Sequence, residues 1–361
     1  MSNPKARIGV VGTGWWATYT HLPALLSRPD VEIVGIADPD LHKLRLAADH
    51  FHVSRAYADF RDLLAQERPD GVVVAAPQAA HYVIARAALE NGCHVLIEKP
   101  MVLRPSEARD LVLLARQAGR EIVMSYPWNY TAHVRRAREA VLAGELGDVE
   151  LVSSMFTSTA YETYRGNLAA YAGVLEAPIV GPSVDANTAL DRGGGQGHVQ
   201  VTHSAALAFW ITGLRPQLVT AFMNQLDTAV DVVDTINMRL NNGAVGVVSS
   251  TGNLRPGDAG QHTLSVYGSR GYFLLDLIAG TLIIRKHDGT LESPPPLEAD
   301  ARYPRRAPAN NLVSVVLGKQ ENLAPGEIGW ITVNLLDAAH RSVVLGGSLV
   351  TVEDAQADGA N

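Results

Sequence analysis

The feature that most constrains this chain is a glycine turn at its start. Arg7-Ile8-Gly9-Val10-Val11 is a short apolar run that breaks into Gly12-Thr13-Gly14-Trp15-Trp16-Ala17. The run is β-branched and has no helical period, so it reads as a buried strand. After Ala17, Leu22, Leu25 and Leu26 recur at helical spacing, and Ser27, Pro29 and Asp30 supply the stop. A strand, a Gly-x-Gly-x-x-Ala turn and a helix, in that order, describe a phosphate cradle. Gly12 permits the tight turn, Gly14 lets a diphosphate approach the backbone, and Ala17 keeps helix and strand close. Trp15 and Trp16 lie where the helix start offers N–H groups to phosphate. A second strand, Glu32-Ile33-Val34-Gly35-Ile36-Ala37, ends at Asp38. A carboxylate there accepts ribose hydroxyls and repels a 2′-phosphate, and Pro39, Asp40 and Leu41 follow it instead of Arg or Lys. The turn reads as a dinucleotide site with NAD favoured over NADP.

The first third continues to alternate. Helices are expected at Leu41 to His52, Phe60 to Gln66, Gln78 to Asn91 and Ser106 to Gly119. Strands are expected at Gly71 to Ala76, His94 to Ile97 and Glu121 to Met124. Apolar strands each followed by a helix mean a doubly wound parallel sheet, whose ligands lie beyond the carboxyl ends of the strands. Gly12, Asp38, Pro77 and Lys99 all fall there, and Ala76, Gln78 and His81 flank Pro77. From about residue 150 strands follow one another, through turns such as Asn241-Asn242-Gly243. Two helices interrupt them, near 203–213 and 327–345. The expected organisation is an α/β dinucleotide-binding domain over 1–125 and an α+β domain with a mostly antiparallel sheet over 126–352. A frayed tail is expected over 353–361. The segment from Ala160 to Gly197 is too long for a simple connection and reads as a lid or binding loop.

Bulk properties remove several function classes. A net charge of −7 leaves no electrostatic footprint for nucleic acid or an anionic membrane. The longest apolar stretch, around Ala205 to Leu214, is too short to cross a bilayer. With one cysteine, Cys93, no intrachain disulfide can form, and the first strand begins near Arg7; the expectation is a soluble cytoplasmic protein. The 12 histidines show no His-x-x-x-His or His-Glu-x-x-His spacing, so no metal site is expected.

Two constellations can do chemistry. Lys99, between Glu98 and Pro100 at the exit of a cofactor-binding strand, falls where a nicotinamide must lie. Burial and a cationic nicotinamide would both lower its pKa. From chemistry alone, an ion pair with Glu98 explains this lysine equally well. The second constellation is Gly193-Gly194-Gly195-Gln196-Gly197-His198-Val199-Gln200-Val201-Thr202-His203. Gln200 and His203 are three apart on the start of an apolar helix and share a face. A satisfied core or capping histidine is the alternative for His203, and His198 lies on another face. Tyr126, Trp128, Asn129 and Tyr130 follow the last strand of the first domain and can line a substrate or pack between domains.

These pieces, in this order and spacing, resemble the glucose–fructose oxidoreductase / inositol dehydrogenase / rhizopine-catabolism (Gfo/Idh/MocA) family. The match includes Gly12-Thr13-Gly14, His21-Leu22-Pro23-Ala24-Leu25, Ala37-Asp38-Pro39, Pro77 with His81, and Glu98-Lys99-Pro100. It continues through Gly144-Glu145-Leu146-Gly147-Asp148-Val149, Gly193-Gly194-Gly195 with His203, and Ala338-Ala339-His340-Arg341-Ser342. The resemblance implies a Rossmann domain followed by an α+β domain with a large open sheet. It also implies oxidation of a secondary alcohol of a sugar or cyclitol, or the reverse reduction. Lys99 matches the lysine that bonds the reacting hydroxyl, Glu98 the acid near the nicotinamide ribose, and His203 the proton acceptor. Two departures stand out. An Asp four residues before the histidine is common in the family, and here that position is Val199; Asp185 or Asp191 is the candidate replacement. An Arg often found after the sixth strand is Asn129 here, beside Trp128, which points to an unphosphorylated substrate.

The expectation is therefore an NAD-dependent sugar or cyclitol oxidoreductase with catalytic Lys99 and His203. Trp128, Asn129, Asp185 and Gln200 are its further substrate contacts. The alternatives are a reductase of a keto-sugar or small carbonyl, and a non-catalytic NAD-binding regulator. Alternating Val, Ile and Leu along Thr235 to Leu240 and Val245 to Gly252 suggests an open face covered in a homodimer or homotetramer.

Overall fold

The computed structural model describes residues 5–176 and 179–352; the tail expected over 353–361 lies outside the described residues. The chain divides into two compact units. The first takes the chain up to Ser125 together with Tyr171–Ala186 and Arg305–Gly329, and the second takes the rest.

In the first unit, strands β1 (Ala6–Val11), β2 (Val31–Ala37), β3 (Ala56–Tyr57), β4 (Gly71–Val74), β5 (His94–Ile97) and β6 (Ile122–Met124) form one parallel sheet. Its order is β3-β2-β1-β4-β5-β6. Val10, Ile36, Val73, Leu96 and Val123 belong to one buried core. Burial of both sheet faces explains the unbroken apolar runs. Asp40 accepts hydrogen bonds from the His42 and Lys43 N–H groups and so caps the helix Leu41–Phe51. That helix closes on His52 in the left-handed region, φ 55°. Strand order reverses between β1 and β4, which places a crevice at the end of β1. The helix Ala307–Val316 returns late in the chain and inserts Ala309, Leu312 and Val313 into this core.

The second unit is built on nine strands: β7 (Val149–Thr157), β8 (Pro216–Asn224), β9 (Val233–Leu240), β10 (Val245–Thr251), β11 (Gln261–Gly268), β12 (Gly271–Asp276), β13 (Thr281–Lys286), β14 (Leu291–Glu292) and β15 (Val350–Thr351). Their order is β14-β13-β12-β11-β7-β10-β9-β8-β15, antiparallel except where β7 pairs with β10. The chain is therefore a doubly wound α/β unit and a mostly antiparallel α+β unit. The helices Ala132–Leu142 and Thr202–Thr212 pack against one another, and Thr202–Thr212 also packs on β7. Every residue of Thr202–Thr212 is buried.

The apolar alternation in β9 needs a different explanation from an open face. Ile236, Met238 and Leu240 are the buried set, while Thr235, Asn237 and Arg239 occupy the alternate positions. A two-residue period puts the apolar side chains on the packed face and leaves a polar stripe on the other. This strand supplies no apolar face for a second copy.

Candidate functional site

The two units carry the candidate residues separately. In the first, Gly12 has φ +93°, and a Cβ on it would lie 2.4 Å from the Ala75 carbonyl oxygen. Only glycine fits this approach of β1 to β4. A Cβ on Gly14 would meet nothing within 4 Å, so the space above the turn is open. Thr13 donates from both N–H and hydroxyl to one Asp38 oxygen, at 2.8 and 3.1 Å. The other Asp38 oxygen accepts from the Asp40 N–H at 2.9 Å. These bonds aim a carboxylate at the crevice and leave acceptor capacity on it. An open glycine cradle, a helix start and an oriented acid fit the diphosphate and adenosine ribose of NAD. Trp15 and Trp16 stand beside the cradle. The Trp15 indole donates to the Glu176 carbonyl at 2.7 Å, Tyr19 donates to the Glu176 carboxylate at 2.7 Å, and the Trp15 and Tyr19 rings stack. Part of the long loop is thereby fastened to the nucleotide turn.

At the end of β4, Ala76 and Gln78 are half-buried and Pro77 is exposed. His81 has a different setting from the cofactor contact expected. It is fully buried, with ring nitrogens 2.9 Å from the Ala76 carbonyl oxygen and 3.0 Å from that of Pro100. Burial lowers its pKa, so the ring is neutral, and its place is that of a strut between two loops. Glu98 is buried beside Lys99. Burial opposes its ionisation, but bonds from His21 and Ser125 and the Lys99 charge outweigh this and hold it below the usual carboxylate value. Burial pushes Lys99 below the ordinary ammonium value against the opposing charge of Glu98. A half-buried lysine with a depressed pKa, at the carboxyl end of β5, is equipped to hold an oxygen and exchange a proton with it.

In the second unit, the glycine stretch opens a helix through a wide turn in which the Thr202 N–H reaches back five residues to the Gly197 carbonyl. Gln200 is half-buried within this turn, and His203 is buried on the regular helix that follows. The His203 and Trp128 rings are perpendicular at 5.2 Å, and the His203 ring lies 6.1 Å from the Tyr126 ring. Trp128 also contacts His262 at 4.5 Å and Tyr303 at 4.7 Å. Trp128 and Asn129 are buried, so the expected stacking surface is largely occupied by protein. Val199, where an acid was expected, packs against an apolar cluster of Tyr164, Val230 and Val232. Asp185 and Asp191 are both exposed, and Asp185 belongs to the first unit.

The carboxylate that serves the glycine turn is Asp231, which sequence reasoning passed over. It is buried and accepts the Gly197 N–H at 2.6 Å, while its backbone oxygen accepts from Gln196. A Cβ on Gly195 would lie 2.1 Å from an Asp231 oxygen. Burial opposes its charge, but His340, 4.0 Å away, and the Gly197 N–H keep it ionised. Burial and that charge push neighbouring Asp234 well above its ordinary value. The only sequence signal was the pair of acids in Val230-Asp231-Val232-Val233-Asp234, which reads as ordinary strand alternation. No group of three or more His, Cys, Asp or Glu suited to a metal ion occurs among the described residues. No helix among them is long and apolar enough to cross a membrane.

The sheet order, the glycine turn at the strand reversal and the oriented acid define an NAD-binding Rossmann unit joined to an α+β unit. Residues 6–126 match the model of the oxidoreductase family with an NAD-binding Rossmann fold, and residues 134–274 match the GFO/IDH/MocA C-terminal domain. The chain belongs to the Gfo/Idh/MocA oxidoreductase family. It is 29% identical over 154 residues to the D-glucoside 3-dehydrogenase of Escherichia coli (strain K12), covering 43% of this chain and 44% of that protein. It is 31% identical over 157 residues to the dTDP-3,4-didehydro-2,6-dideoxy-alpha-D-glucose 3-reductase of Streptomyces antibioticus, covering 44% of this chain and 48% of that one. The match thus spans less than half the length of these relatives. Among solved structures, GenD2 from gentamicin A biosynthesis, in complex with NAD, superposes with a TM-score of 0.78 at 24% identity over 97% of both chains. The WlbA dehydrogenase from Bordetella pertussis, in complex with NADH and UDP-GlcNAcA, gives 0.76 at 22% identity over 97% of this chain and 99% of that one.

Proposed function

We propose that this protein is an NAD-dependent dehydrogenase acting on a secondary alcohol of an unphosphorylated sugar or cyclitol. The observation that carries the reading is Lys99, half-buried beside a buried, ionised Glu98 at the carboxyl end of β5. The named activities of the glucoside dehydrogenase and the deoxyglucose reductase support a sugar hydroxyl or its ketone.

Gly12, Thr13, Gly14, Trp15 and Trp16 would hold the diphosphate, and Asp38 the adenosine ribose. Ala76, Pro77 and Gln78 would border the cofactor, and Glu98 the nicotinamide ribose. Bound NAD supplies a hydride acceptor. Lys99 would donate a hydrogen bond to the substrate oxygen and stabilise the charge that grows there as its proton leaves. His203 would take that proton, with its ring held perpendicular to that of Trp128. Gln200, Asn129 and Trp128 would orient the remaining hydroxyls, and Asp185 is the weakest of the proposed contacts because it is exposed. The reductase relative favours a second reading, in which the same residues run the step backwards and deliver the proton to a keto-sugar oxygen.

The test is nicotinamide absorbance with NAD and NADP across sugars, inositols and nucleotide-linked sugars. Turnover with NAD, abolished by Lys99→Ala and by His203→Ala while NAD affinity stays, supports the reading. Tight NAD binding without turnover in either direction would replace it with the regulator.

A further inference from the structure

His21 is a histidine with no exposure at all, buried with Thr18 and Thr20 in the first turn of a helix whose later inward residues, Leu22, Ala24 and Leu25, are apolar. It reaches its place because the helix opens with a wide turn. The Leu22 N–H bonds the Ala17 carbonyl, five residues back, instead of the Thr18 carbonyl. One extra residue in a turn rotates the rest of the helix by about 100° relative to an unbroken one. Such widened turns concentrate at functional positions. Here the widened turn starts at the phosphate cradle and ends with the His21 Nε2 at 2.8 Å from a Glu98 carboxylate oxygen. The His21 Nδ1 has no hydrogen-bond partner among the described residues, and because an ionised carboxylate only accepts, Nε2–H is the donor to Glu98.

Glu98 links this buried ring to the candidate chemistry. Its second oxygen accepts the Lys99 backbone N–H at 3.2 Å, and its charge acts on the Lys99 side chain. The titratable groups that face Glu98 are His21, Lys99 and His81. His81 is bonded to the backbone of the two loops, so His21 and Ser125 are the side chains that fix the carboxylate from within the core, and His21 is the titratable one. We infer, on the reading given under Proposed function, that His21 is a positioning residue of the reaction. It acts through Glu98, holding that carboxylate charged and oriented so that Lys99 is presented to the substrate oxygen.

The test compares His21→Leu, which keeps apolar volume and removes the donor, with His21→Gln, which keeps a donor on a neutral side chain. Both are made in the full chain. His21→Leu should lower kcat by about 10–100-fold, the usual effect of removing an outer-shell partner, with KM changed less than threefold. Losing a donor that favours the carboxylate raises the pKa of Glu98, so the acid limb of kcat/KM should move up by about one pH unit. His21→Gln should restore the limb and most of kcat.

The same comparison runs without cofactor or substrate. Glu98 has a depressed folded-state pKa, so its contribution to stability is present above the unfolded value and lost as pH falls through the folded one. In the cofactor-free chain, the acid loss of melting temperature from Glu98 starts at the unchanged unfolded value, so for His21→Leu it should be smaller and end about one pH unit higher than for wild type or His21→Gln. Wild-type kcat and limb in His21→Leu, with Lys99→Ala inactive, would overturn this inference and leave the dehydrogenase reading standing. Equal loss in both variants with unmoved limbs would also overturn it, because a packing defect does not distinguish the two. If wild type turns over no substrate, the dehydrogenase reading fails. The melting profiles then still decide whether His21 governs Glu98.

Discussion

Gly195→Ala tests the claim that Asp231 anchors the turn opening the His203 helix. Gly195 has φ +92°, and the added Cβ would lie 2.1 Å from the Asp231 carboxylate. A side chain in a left-handed conformation costs about 1–2 kcal/mol. Relief of the clash requires the carboxylate to withdraw from the Gly197 N–H, now 2.6 Å away. A buried N–H left without its acceptor costs about 1–3 kcal/mol more. The sum is about 2–5 kcal/mol, which for a unit of this size is a melting temperature lower by roughly 5–15 °C. The two contributions separate in a double-mutant cycle read by urea unfolding. In an Asp231→Ala background the clash is gone and only the backbone cost remains, so the cycle should show a coupling of about 1–3 kcal/mol. An additive cycle, or Gly195→Ala within about 0.5 kcal/mol of wild type, would refute the anchoring role.

Three further outcomes are expected from the same structure. Val199→Asp, which restores the acid common in the family, should destabilise the second unit by about 1–3 kcal/mol without raising kcat, because Val199 packs against Tyr164, Val230 and Val232; thermal melts and steady-state rates check both halves. His262 is fully buried and burial pushes its pKa down to about 3, so the unfolded chain takes up a proton that the folded chain refuses. Stability should therefore fall as pH drops from about 6.5 towards 3, and His262→Phe should flatten that part of the melting profile. Asp38→Ala should weaken NAD binding about tenfold and narrow its advantage over NADP, since Asp38 both offers acceptors and fixes Thr13; fluorescence titration with the two nucleotides measures it.

The legible part of the sequence was local. Gly12, the apolar runs of β1 and β4 and the acid after β2 announce themselves because each obeys a rule set by its immediate neighbours. The helix Ala132–Leu142 did not. Its inward residues Val134, Ala137 and Val141 are small and scattered among four arginine and glutamate side chains, so its apolar stripe is thin. The helix Ala307–Val316 was hidden by Pro308, Asn310 and Asn311, which look like a loop until Leu312 and Val313 are seen in the sheet core. β9 was read with the right period and the wrong face, since alternation alone does not say which side a helix covers. Asp231 and His81 lay further out of reach. Their partners, Gly197 and the carbonyls of Ala76 and Pro100, come from other segments, and nothing in the local sequence marks a carboxylate or imidazole as one that will bond to backbone.

The two widened turns share one physical logic. Each interrupts a helix whose remainder is set by core packing, Leu22–Leu26 in one unit and Thr202–Thr212 in the other. Without the extra residue, a helix start fixed by its glycines would dictate where every later side chain points, at about 100° per residue. With it, the glycine turn and the packed helix keep separate requirements, and the direction of the residues between them, His21 in one case and Gln200 in the other, is set apart from both. The cost is a poorer backbone hydrogen bond, and it is sustained by tertiary partners: Glu98 for His21, and Asp231 for the Gly197 end of the second turn. Deleting one residue from the second turn, at Val199, should therefore restore regular helix geometry and leave the unit folded, less stable by about 1–3 kcal/mol for the packing Val199 gives up, while rotating Gln200 away from its present direction. Wild-type circular dichroism with melting lowered by no more than that, KM raised and NAD affinity unchanged, would bear this out; a loss of folding would show that core packing requires the wide turn.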